Sequence, residues 1–473
     1  MYADKFAICM VREKDLSETG VSSWVPSLAG EGPIYQRIID AIIEARASGV
    51  LRPGDRLLPQ RVLAERLGVD LATVTRAFSE ARRRNLIDAA SGRGTFVTAR
   101  GIEAPILDLG MNIPPAPFGI ALPALIRAGI DTLLKRSSAE ALLSYHPGPG
   151  SAAERGAAAL WLEAAARERP ASDRIAVGSG AQAMLTAVLL SKCREGDTVL
   201  ADALTYPGFI GLARTLRLKL VGVEADAEGM RPDRLQAAAK QGARLLYLNP
   251  TLHNPTTLVM PEQRRLDISR IARRAHLTII EDDPYRPLLG TEVPSSFLAL
   301  APDIAFHVAT LSKCLSPFLR TAFLAAPSAE ALEGVASALR SVTLMAPPLM
   351  TSLAAEWVRN GTAAEIVTGV RTEIAARHAI AAALLSGNTH LHAAGFHAWM
   401  ELDEGQNAAS VVETARSRGL AVNPAADFSV GGGAPEAIRI ALGAVESRDR
   451  LAEALKMLAG MVQRSRSQTS TFV

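Results

Sequence analysis

The 473-residue sequence has only three cysteines, and none stands in a CxxC pair or another metal-ligand spacing: Cys9, Cys193 and Cys314. This scarcity excludes zinc fingers, Fe–S clusters and disulfide-stapled folds, favours a reducing compartment and predicts no metal site. Long hydrophobic runs are missing as well, so no segment is expected to span a bilayer. The charged N-terminus lacks the apolar core of a signal peptide. We therefore expect a cytoplasmic protein with no membrane partner.

An excess of one charge sign is also missing, because 51 Lys and Arg face 48 Asp and Glu. The surplus of +3 is unevenly placed: residues 31–100 hold twelve Arg, no Lys and eight Asp or Glu, whereas residues 101–473 are neutral. A small basic block on a large neutral body is typical of a polyanion-binding module, although charge alone also fits a solvated arginine-rich face. The length predicts two or three globular domains.

The basic block has the pattern of three helices followed by a hairpin. Apolar residues at helical spacing predict helices over Ile34–Ala47, Gln60–Leu67 and about Leu71–Asn85, with Asp70 as the N-cap of the third. Short apolar runs around a turn at residues 91–94 predict the hairpin. This order is that of a winged helix-turn-helix, whose third helix enters the major groove of DNA.

The block resembles the GntR family of bacterial regulators in five motifs that stand in family order: Arg52-Pro53-Gly54-Asp55-Arg56-Leu57, Pro59-Gln60-Arg61-Val62-Leu63-Ala64, Leu67-Gly68-Val69, Thr73-Val74-Thr75-Arg76-Ala77 and Gly92-Arg93-Gly94-Thr95-Phe96-Val97. The resemblance implies DNA contacts by the second helix, the recognition helix and the wing, through Arg61, Thr73, Thr75, Arg76, Gly92 and Arg93. Asp70-Leu71 stands where many members have Ser-Arg, which leaves the base preference open. A winged helix reused for protein contacts is the alternative.

Beyond residue 150, predicted strands alternate with predicted helices, which indicates an α/β fold with a mostly parallel sheet. The strands are Thr198–Ala201, Leu218–Val223, Leu245–Leu248, Thr278–Glu281 and Ile304–Val308, and the helices are Gln182–Lys192, Pro232–Gln241 and Pro261–Arg274. Sites in such sheets lie at the carboxyl ends of the strands. Four polar or glycine-rich segments occupy these positions: Gly178–Gln182, Asn249–Thr256, Glu281–Tyr285 and Thr310–Lys313.

These segments contain the residue types that pyridoxal 5′-phosphate (PLP) requires. A lysine forms a Schiff base with its aldehyde, a carboxylate keeps the pyridine nitrogen protonated, and an arginine with a helix N-terminus holds the phosphate. At these residues the body resembles the class I/II aminotransferases of fold type I over nearly all of residues 107–465. The resemblance implies a body at residues 107–467 with a smaller C-terminal α+β lobe at about 330–467.

By this resemblance, Lys313 is the Schiff-base lysine and Asp282 the partner of the pyridine nitrogen, and with Tyr285 they form the catalytic set. Arg439 would bind the carboxylate of a substrate or effector. The remaining cofactor contacts would be made to the ring oxygen by Asn254 and Tyr285, to the ring face by Tyr206, and to the phosphate by Thr310, Arg320, the N–H groups of Ala181 and Gln182, and Tyr145 from a partner subunit.

The whole chain resembles the MocR subfamily of GntR-type regulators, with an N-terminal extension at residues 1–30, a winged helix at 31–98 and a linker at 99–106. The resemblance implies a homodimer that binds double-stranded operator DNA and senses an amino compound through aldimine exchange at Lys313. The alternative is a catalytically active aminotransferase with an attached DNA-binding module. A purely structural adaptor is disfavoured, because the lysine, carboxylate and arginine of the site would have no reason to occur together.

Overall fold

A computed structural model describes residues 24–28, 32–83, 86–90, 94–98, 107–136, 142, 144–146, 148–290, 293–385 and 387–469. The chain divides into two compact units, residues 1–106 and 107–473. Gly92 and Arg93 of the predicted wing and the predicted linker at 99–106 lie outside the described residues. Within the described ranges, no helix is long and apolar enough to cross a membrane.

The N-terminal unit has the predicted winged helix-turn-helix order: α1 (Ile34–Ala47), α2 (Gln60–Leu67), α3 (Leu71–Arg83), β1 (Ile87–Ala90) and β2 (Gly94–Val97). Helix α3 buries Val74, Ala77 and Phe78, which recur at helical spacing against the isoleucines of α1. Helix α2 ends at Gly68, whose φ of 63° makes the tight turn before α3. Asp70 accepts a 2.9 Å hydrogen bond from the Thr73 N–H, as expected of an N-cap.

The larger unit is built from short strands and thirteen described helices. Its strands are β3 (Leu107–Asp108), β4 (Ile175–Gly178), β5 (Thr198–Asp202), β6 (Lys219–Val223), β7 (Ala225–Asp226), β8 (Gly229–Met230), β9 (Leu245–Leu248), β10 (Thr278–Asp282), β11 (Ala305–Thr310), β12 (Ala322–Ala325), β13 (Thr389–Leu391), β14 (His397–Glu401), β15 (Leu420–Ala421), β16 (Asn423–Pro424) and β17 (Ala437–Ala441).

Its helices are α4 (Leu122–Arg136), α5 (Ala152–Ala166), α6 (Ala181–Lys192), α7 (Pro207–Thr215), α8 (Pro232–Ala239), α9 (Glu262–Arg274), α10 (Arg286–Leu289), α11 (Phe297–Leu300), α12 (Ala329–Thr343), α13 (Pro348–Asn360), α14 (Thr362–Leu384), α15 (Ala408–Ser417) and α16 (Arg448–Thr469). Short 3₁₀ turns lie at Ser172–Arg174, Leu311–Lys313, Pro317–Leu319 and Ala425–Phe428. The strand–helix alternation predicted from the sequence is therefore present.

Seven strands form the large sheet in the order β4-β12-β11-β10-β9-β5-β6, and only β12 runs antiparallel to its neighbours. Alternate residues face opposite layers: Val199 and Tyr247 pack in the layer of α6, whereas Leu200 and Leu246 pack in the layer of α9. Both faces are covered, which explains why these strands read as nearly continuous apolar runs.

The smaller lobe contains a four-stranded sheet in the order β13-β14-β17-β16, packed against α14, α15 and α16. The sequence places its start at about residue 330, but α12 packs against the large sheet and α13 packs with α5. Conversely, β3 pairs with β15 and so joins the small lobe. Helical periodicity identifies these elements but does not reveal which core they join, because any apolar face fits the pattern.

Phe78→Ala is expected to unfold the N-terminal unit selectively, since truncating a buried Phe costs about 3–5 kcal/mol and Phe78 is 1% exposed. Hydrogen exchange of the full chain should then show lost protection over residues 34–97 and unchanged protection over the body. Leu71→Ala in the same helix is the matched control, because Leu71 is 40% exposed. Equal loss of protection in both variants would contradict the assigned core.

Candidate functional site

The carboxyl ends of the large-sheet strands open into one cleft of about 600 Å³. Strand β10 ends at Asp282 and β11 ends at Thr310, so both residues close their strands rather than follow them. The 3₁₀ turn after β11 then carries Lys313 into the same cleft. Eight of the predicted residues line the cleft: Ala181, Tyr206, Asn254, Asp282, Tyr285, Thr310, Lys313 and Arg439.

The amine of Lys313 is prepared to act as a nucleophile. Burial lowers the pKa of Lys313 to about 8, and the nearby positive charge of Arg439 acts in the same direction. Its Nζ donates a 2.5 Å hydrogen bond to the carbonyl oxygen of Asn112. Near neutral pH a useful fraction of the amine is therefore uncharged, as attack on an aldehyde requires.

The two oxygens of the Asp282 carboxyl differ in their hydrogen bonding. Its Oδ2 accepts a 2.8 Å hydrogen bond from the hydroxyl of Tyr247, whose ring stacks on Phe209 at a centroid distance of 3.7 Å. Its Oδ1 is buried and has no hydrogen-bond partner among the residues that the structure describes. Burial raises the pKa of Asp282 to about 6. A protonated pyridine nitrogen would satisfy Oδ1 and stabilise the carboxylate, so this end of the cleft fits PLP.

Tyr285 and Asn254 lie on loops that follow β10 and β9. The Tyr285 hydroxyl accepts a 2.9 Å hydrogen bond from Nδ2 of Asn112, and burial raises the pKa of Tyr285. Asn249 accepts from the Asn254 N–H at 2.9 Å and donates to the Asp282 carbonyl at 2.6 Å. Asn249 therefore ties the two loops together and fixes the distance between a ring-oxygen donor and the ring-nitrogen partner.

Arg439 lies buried at the other side of the cleft. Its guanidinium donates to Asn254 Oδ1 at 3.1 Å, to Asn423 Oδ1 at 2.7 Å and to the Gly110 carbonyl, and it lies 5.0 Å over the Phe428 ring. These acceptors are neutral oxygens, and burial lowers the pKa of Arg439. A carboxylate entering the cleft would supply the charge partner that these neutral groups do not provide.

The N-terminus of α6, at Ala181 and Gln182, forms an anion cradle with Arg320. Gly180 has a φ of 93°, and a Cβ at this position would lie 3.1 Å from Nη2 of Arg320. The first N–H groups of a helix have no intrahelical partner, so those of Ala181 and Gln182 suit an anion. The helix N-terminus and the guanidinium of Arg320 together fit the phosphate of PLP. The buried hydroxyl of Ser312, just before Lys313, has no hydrogen-bond partner within the described ranges.

The two other predicted tyrosine contacts, Tyr206 and Tyr145, differ from each other in position. Tyr206 lines the cleft at the N-cap of α7, and burial raises its pKa. Tyr145 does not line the cleft and is 75% exposed. Its predicted contact with a partner subunit's phosphate stays a prediction.

Sequence reasoning missed several residues of the site: Asn112, Tyr247, Asn249, Ser312 and Asn423. Tyr247 carries a weak signal, since it is the only hydroxyl in the buried strand β9. Asn112 carries no local signal, because it precedes Lys313 by 201 residues.

The predicted DNA-contacting residues of the N-terminal unit lie on two neighbouring helices. Arg61 on α2 and Thr75 and Arg76 on α3 are exposed, and Thr73 is half-buried. Thr75 donates to Gln60 at 2.9 Å, and the Arg76 guanidinium lies 4.0 Å over the Tyr35 ring. These contacts order the side chains in advance, which reduces the entropy lost on binding.

Comparison with known proteins identifies the class of both units. Residues 104–458 match the family of class I and II aminotransferases, which is more than half of the chain. Residues 34–97 match the gntR family of bacterial regulatory proteins. The chain belongs to the aminotransferase class I and II family. With its GntR-type DNA-binding domain, it has the domain composition of the MocR subfamily of transcription regulators.

The HTH-type transcriptional regulator YdeF of Bacillus subtilis is 29% identical over 450 residues, which cover 92% of this chain and 96% of that protein. The vitamin B6 salvage pathway transcriptional repressor PtsJ of Salmonella typhimurium is 29% identical over 308 residues, or 63% and 69% of the two chains. The crystal structure of LysN, the alpha-aminoadipate aminotransferase of Thermus thermophilus, is 26% identical and has a TM-score of 0.69, covering 83% of this chain and 99% of that chain. LysN was complexed with N-(5′-phosphopyridoxyl)-L-leucine. The cofactor of this family is PLP.

Asp282→Asn should weaken PLP binding by about 10- to 150-fold, since a hydrogen bond to a charged group contributes about 1.5–3 kcal/mol. Tyr247→Phe should have a smaller effect, because it removes only the donor that orients the carboxyl. Titration of cofactor-free protein with PLP, followed by absorbance, measures both. Asp303→Asn, in an exposed pair with Arg273, is the control and should bind normally. Unchanged affinity in Asp282→Asn would refute the assignment.

The rate at which cofactor-free protein takes up PLP should rise with pH and level off above about 8, the pKa of Lys313. The sign follows from the lowered pKa: below it Lys313 is mainly an ammonium ion, and the neutral fraction falls about tenfold per pH unit. Stopped-flow absorbance gives the rate. A free alkylamine, with an ordinary pKa near 10 (about 10.4 for lysine), is the control and should show no levelling at pH 8. A protein rate that followed the free amine would contradict a lowered pKa.

Proposed function

We propose that this regulator holds PLP at Lys313 and changes its affinity for operator DNA when an amino compound bearing a carboxylate enters the cofactor cleft. The observation that carries the proposal is the joint lining of one cleft by Lys313, Asp282 and Arg439. An amine-reactive group at Lys313 and a buried cation at Arg439 suit the two ends of an amino acid or ω-amino acid.

Bound PLP would supply an aldehyde that exchanges one amine for another and a ring that withdraws electrons. Asp282 would hold the ring nitrogen protonated, while Tyr285 and Asn254 would face the ring oxygen. The cradle of Ala181, Gln182 and Arg320, together with Thr310, would hold the phosphate. When an effector amine replaces Lys313, the carbonyl of Asn112 offers the released lysine an acceptor.

The segment of residues 107–112 supports a route from the cleft toward the DNA-binding domain. Its Asn112 carbonyl accepts from Lys313 and its Gly110 carbonyl accepts from Arg439. An effector's carboxylate competes with Gly110 for Arg439, and exchange at Lys313 alters the bond with Asn112. Because this segment directly follows residues 99–106, a ligand that changes both bonds acts on the chain where it leaves the linker.

A homodimer is part of the proposal. Exposed Tyr145 would then reach the phosphate of the other subunit, and two winged helices would contact paired half-sites on DNA. The roles of Arg61, Thr73, Thr75 and Arg76 in DNA contact, of Gly92 and Arg93 at the wing, and the cytoplasmic location belong to the same proposal.

A second candidate function is transamination. The observation in its favour is that Lys313, Tyr285 and Arg439 line the cleft together with the orphan oxygen of Asp282. Steady turnover of an amino acid with a keto acid would support this candidate, whereas a single conversion without turnover would support sensing.

Mobility shift with the chain's own upstream DNA tests the regulator. Lys313→Ala should keep basal DNA binding and lose the response to amino compounds. Arg61→Ala should weaken binding and reduce the slope of log affinity against log salt by about 1, the value for one phosphate contact. Arg217→Ala on the body, where the side chain is 75% exposed, is the control and should bind normally. A Lys313→Ala protein that still responded, or no specific retardation at low salt, would refute the proposal.

A further inference from the structure

The large sheet reverses its strand order between β5 and β9. Strand β5 lies between β6 and β9, and β9 continues to β10 on its other side. Helix α7, which follows β5, packs in the layer of Phe209, whereas α9, which follows β9, packs in the opposite layer through Ile268. The loops after these strands therefore diverge, and such a switch point is where open α/β sheets form ligand-binding crevices.

Two cavities flank this switch point, and Asn249 lines both. The first is the cofactor cleft. The second, of about 610 Å³, is formed by loops after β5, β6 and β9 together with side chains of the small lobe, among them Asp202, Leu204, His253, Met260 and Trp399. Apart from Asn249, none of the residues of the proposed cofactor site lines the second cavity.

Asp202 and His253 are two buried polar groups of the second cavity with unmet hydrogen-bonding capacity. Asp202 is 4% exposed, and within the described ranges no other residue donates a hydrogen bond to its carboxylate; His253 Nε2 lies 3.7 Å away. His253 Nε2 is buried near the Leu204 backbone and has no side-chain partner among the described residues, while its Nδ1 lies 2.8 Å from the hydroxyl of Thr256. Buried groups of this kind are costly unless a ligand or water satisfies them.

The protonation of this pair favours an incoming donor. Burial lowers the pKa of His253 to about 4, so its ring is neutral. Its Nε2 is an acceptor when Nδ1 donates to Thr256 and a donor when the Thr256 hydroxyl donates to Nδ1. Burial also raises the pKa of Asp202 to about 7, and a hydrogen bond from its own backbone N–H offsets this only in part. When Asp202 is ionised and Nδ1 of His253 carries the ring proton, two acceptors face each other 3.7 Å apart. An ammonium group would supply a positive charge and several N–H donors to these two acceptors.

Two of the other carboxylates of the cavity are paired with arginines, and the third, Glu401, is half-exposed beside a histidine. Glu224 lies 3.2 Å from Arg234, Asp226 lies 2.9 Å from Arg264, and Glu401 lies 3.6 Å from His390. The described lining includes no Lys or Arg. A cation that enters the cavity therefore meets no Lys or Arg in the described lining. Asp202 is the buried carboxylate of this lining that is not paired with an arginine.

We propose that this second cavity binds a small organic ammonium ion, with its nitrogen between Asp202 and His253 and its apolar part against Trp399 and Met260. This site is separate from Lys313 and requires no reaction with the cofactor.

N,N-dimethylpentylamine is the probe, because it is a cation near neutral pH and a tertiary amine cannot form an imine with PLP. Calorimetric titration of the holoprotein should show saturable binding at least about tenfold tighter than that of the uncharged 1-hexanol, equivalent to 1.4 kcal/mol. The absorption of the bound PLP should not change. Equal binding of amine and alcohol, no saturable binding, or a change in PLP absorption would overturn the proposal.

Asp202→Asn should weaken binding of the amine by about tenfold or more while leaving that of 1-hexanol unchanged. Asp226→Asn, which alters a carboxylate of the same cavity that is paired with Arg264, is the matched control and should bind the amine within about threefold of the unaltered protein. Equal effects of the two substitutions would overturn the role of Asp202. If Asp202→Asn fails to fold, the comparison of amine with alcohol on the unaltered protein still decides the question.

Discussion

The buried carboxyl of Asp282 depends on the register of three parallel strands. Leu248 of β9 pairs with Glu281 of β10, and Asp282 of β10 pairs with Val308 of β11. This register places Tyr247 under the carboxyl and brings the turn with Lys313 to the same edge. Because side chains alternate between faces, a slip of one residue would turn Asp282 away from the cleft. The extensive apolar burial on both faces prevents such a slip and so holds the site together.

The same alternation separates three consecutive acids at the end of β10. Asp282 faces the cleft, while Glu281 and Asp283 face the opposite layer. There Arg265 lies 3.5 Å from Glu281, Arg286 lies 2.6 Å from Asp283, and His307 lies 2.8 Å from Glu281. These partners compensate two carboxylates whose uncompensated charge would otherwise raise the pKa of Asp282 further. The opposite layer thus contributes to the chemistry of the cleft without touching it.

The segment of residues 107–112 contacts both the small lobe and the side chains of the cofactor cleft. Through β3 it pairs with β15 of the small lobe, and through the carbonyls of Gly110 and Asn112 it accepts from Arg439 and Lys313. In a working aminotransferase this segment would only complete the cleft. In the proposed regulator, the same hydrogen bonds would let ligand chemistry act on the segment that directly follows the predicted linker.

Local sequence determined the helices of the winged unit and the strand–helix alternation, because periodicity and turns act over a few neighbours. The roles of Lys313, Asp282 and Arg439 were implied by a family resemblance, and the structure places all three in one cleft. Tertiary structure alone decided that α12 and α13 pack on the large lobe and that Asn112 meets Lys313 across 201 residues. It also decided that Asp202, at the end of β5, and His253, on the loop after β9, share one cavity. Contacts of this kind depend on strand order and on the direction of each crossover, which no local pattern encodes.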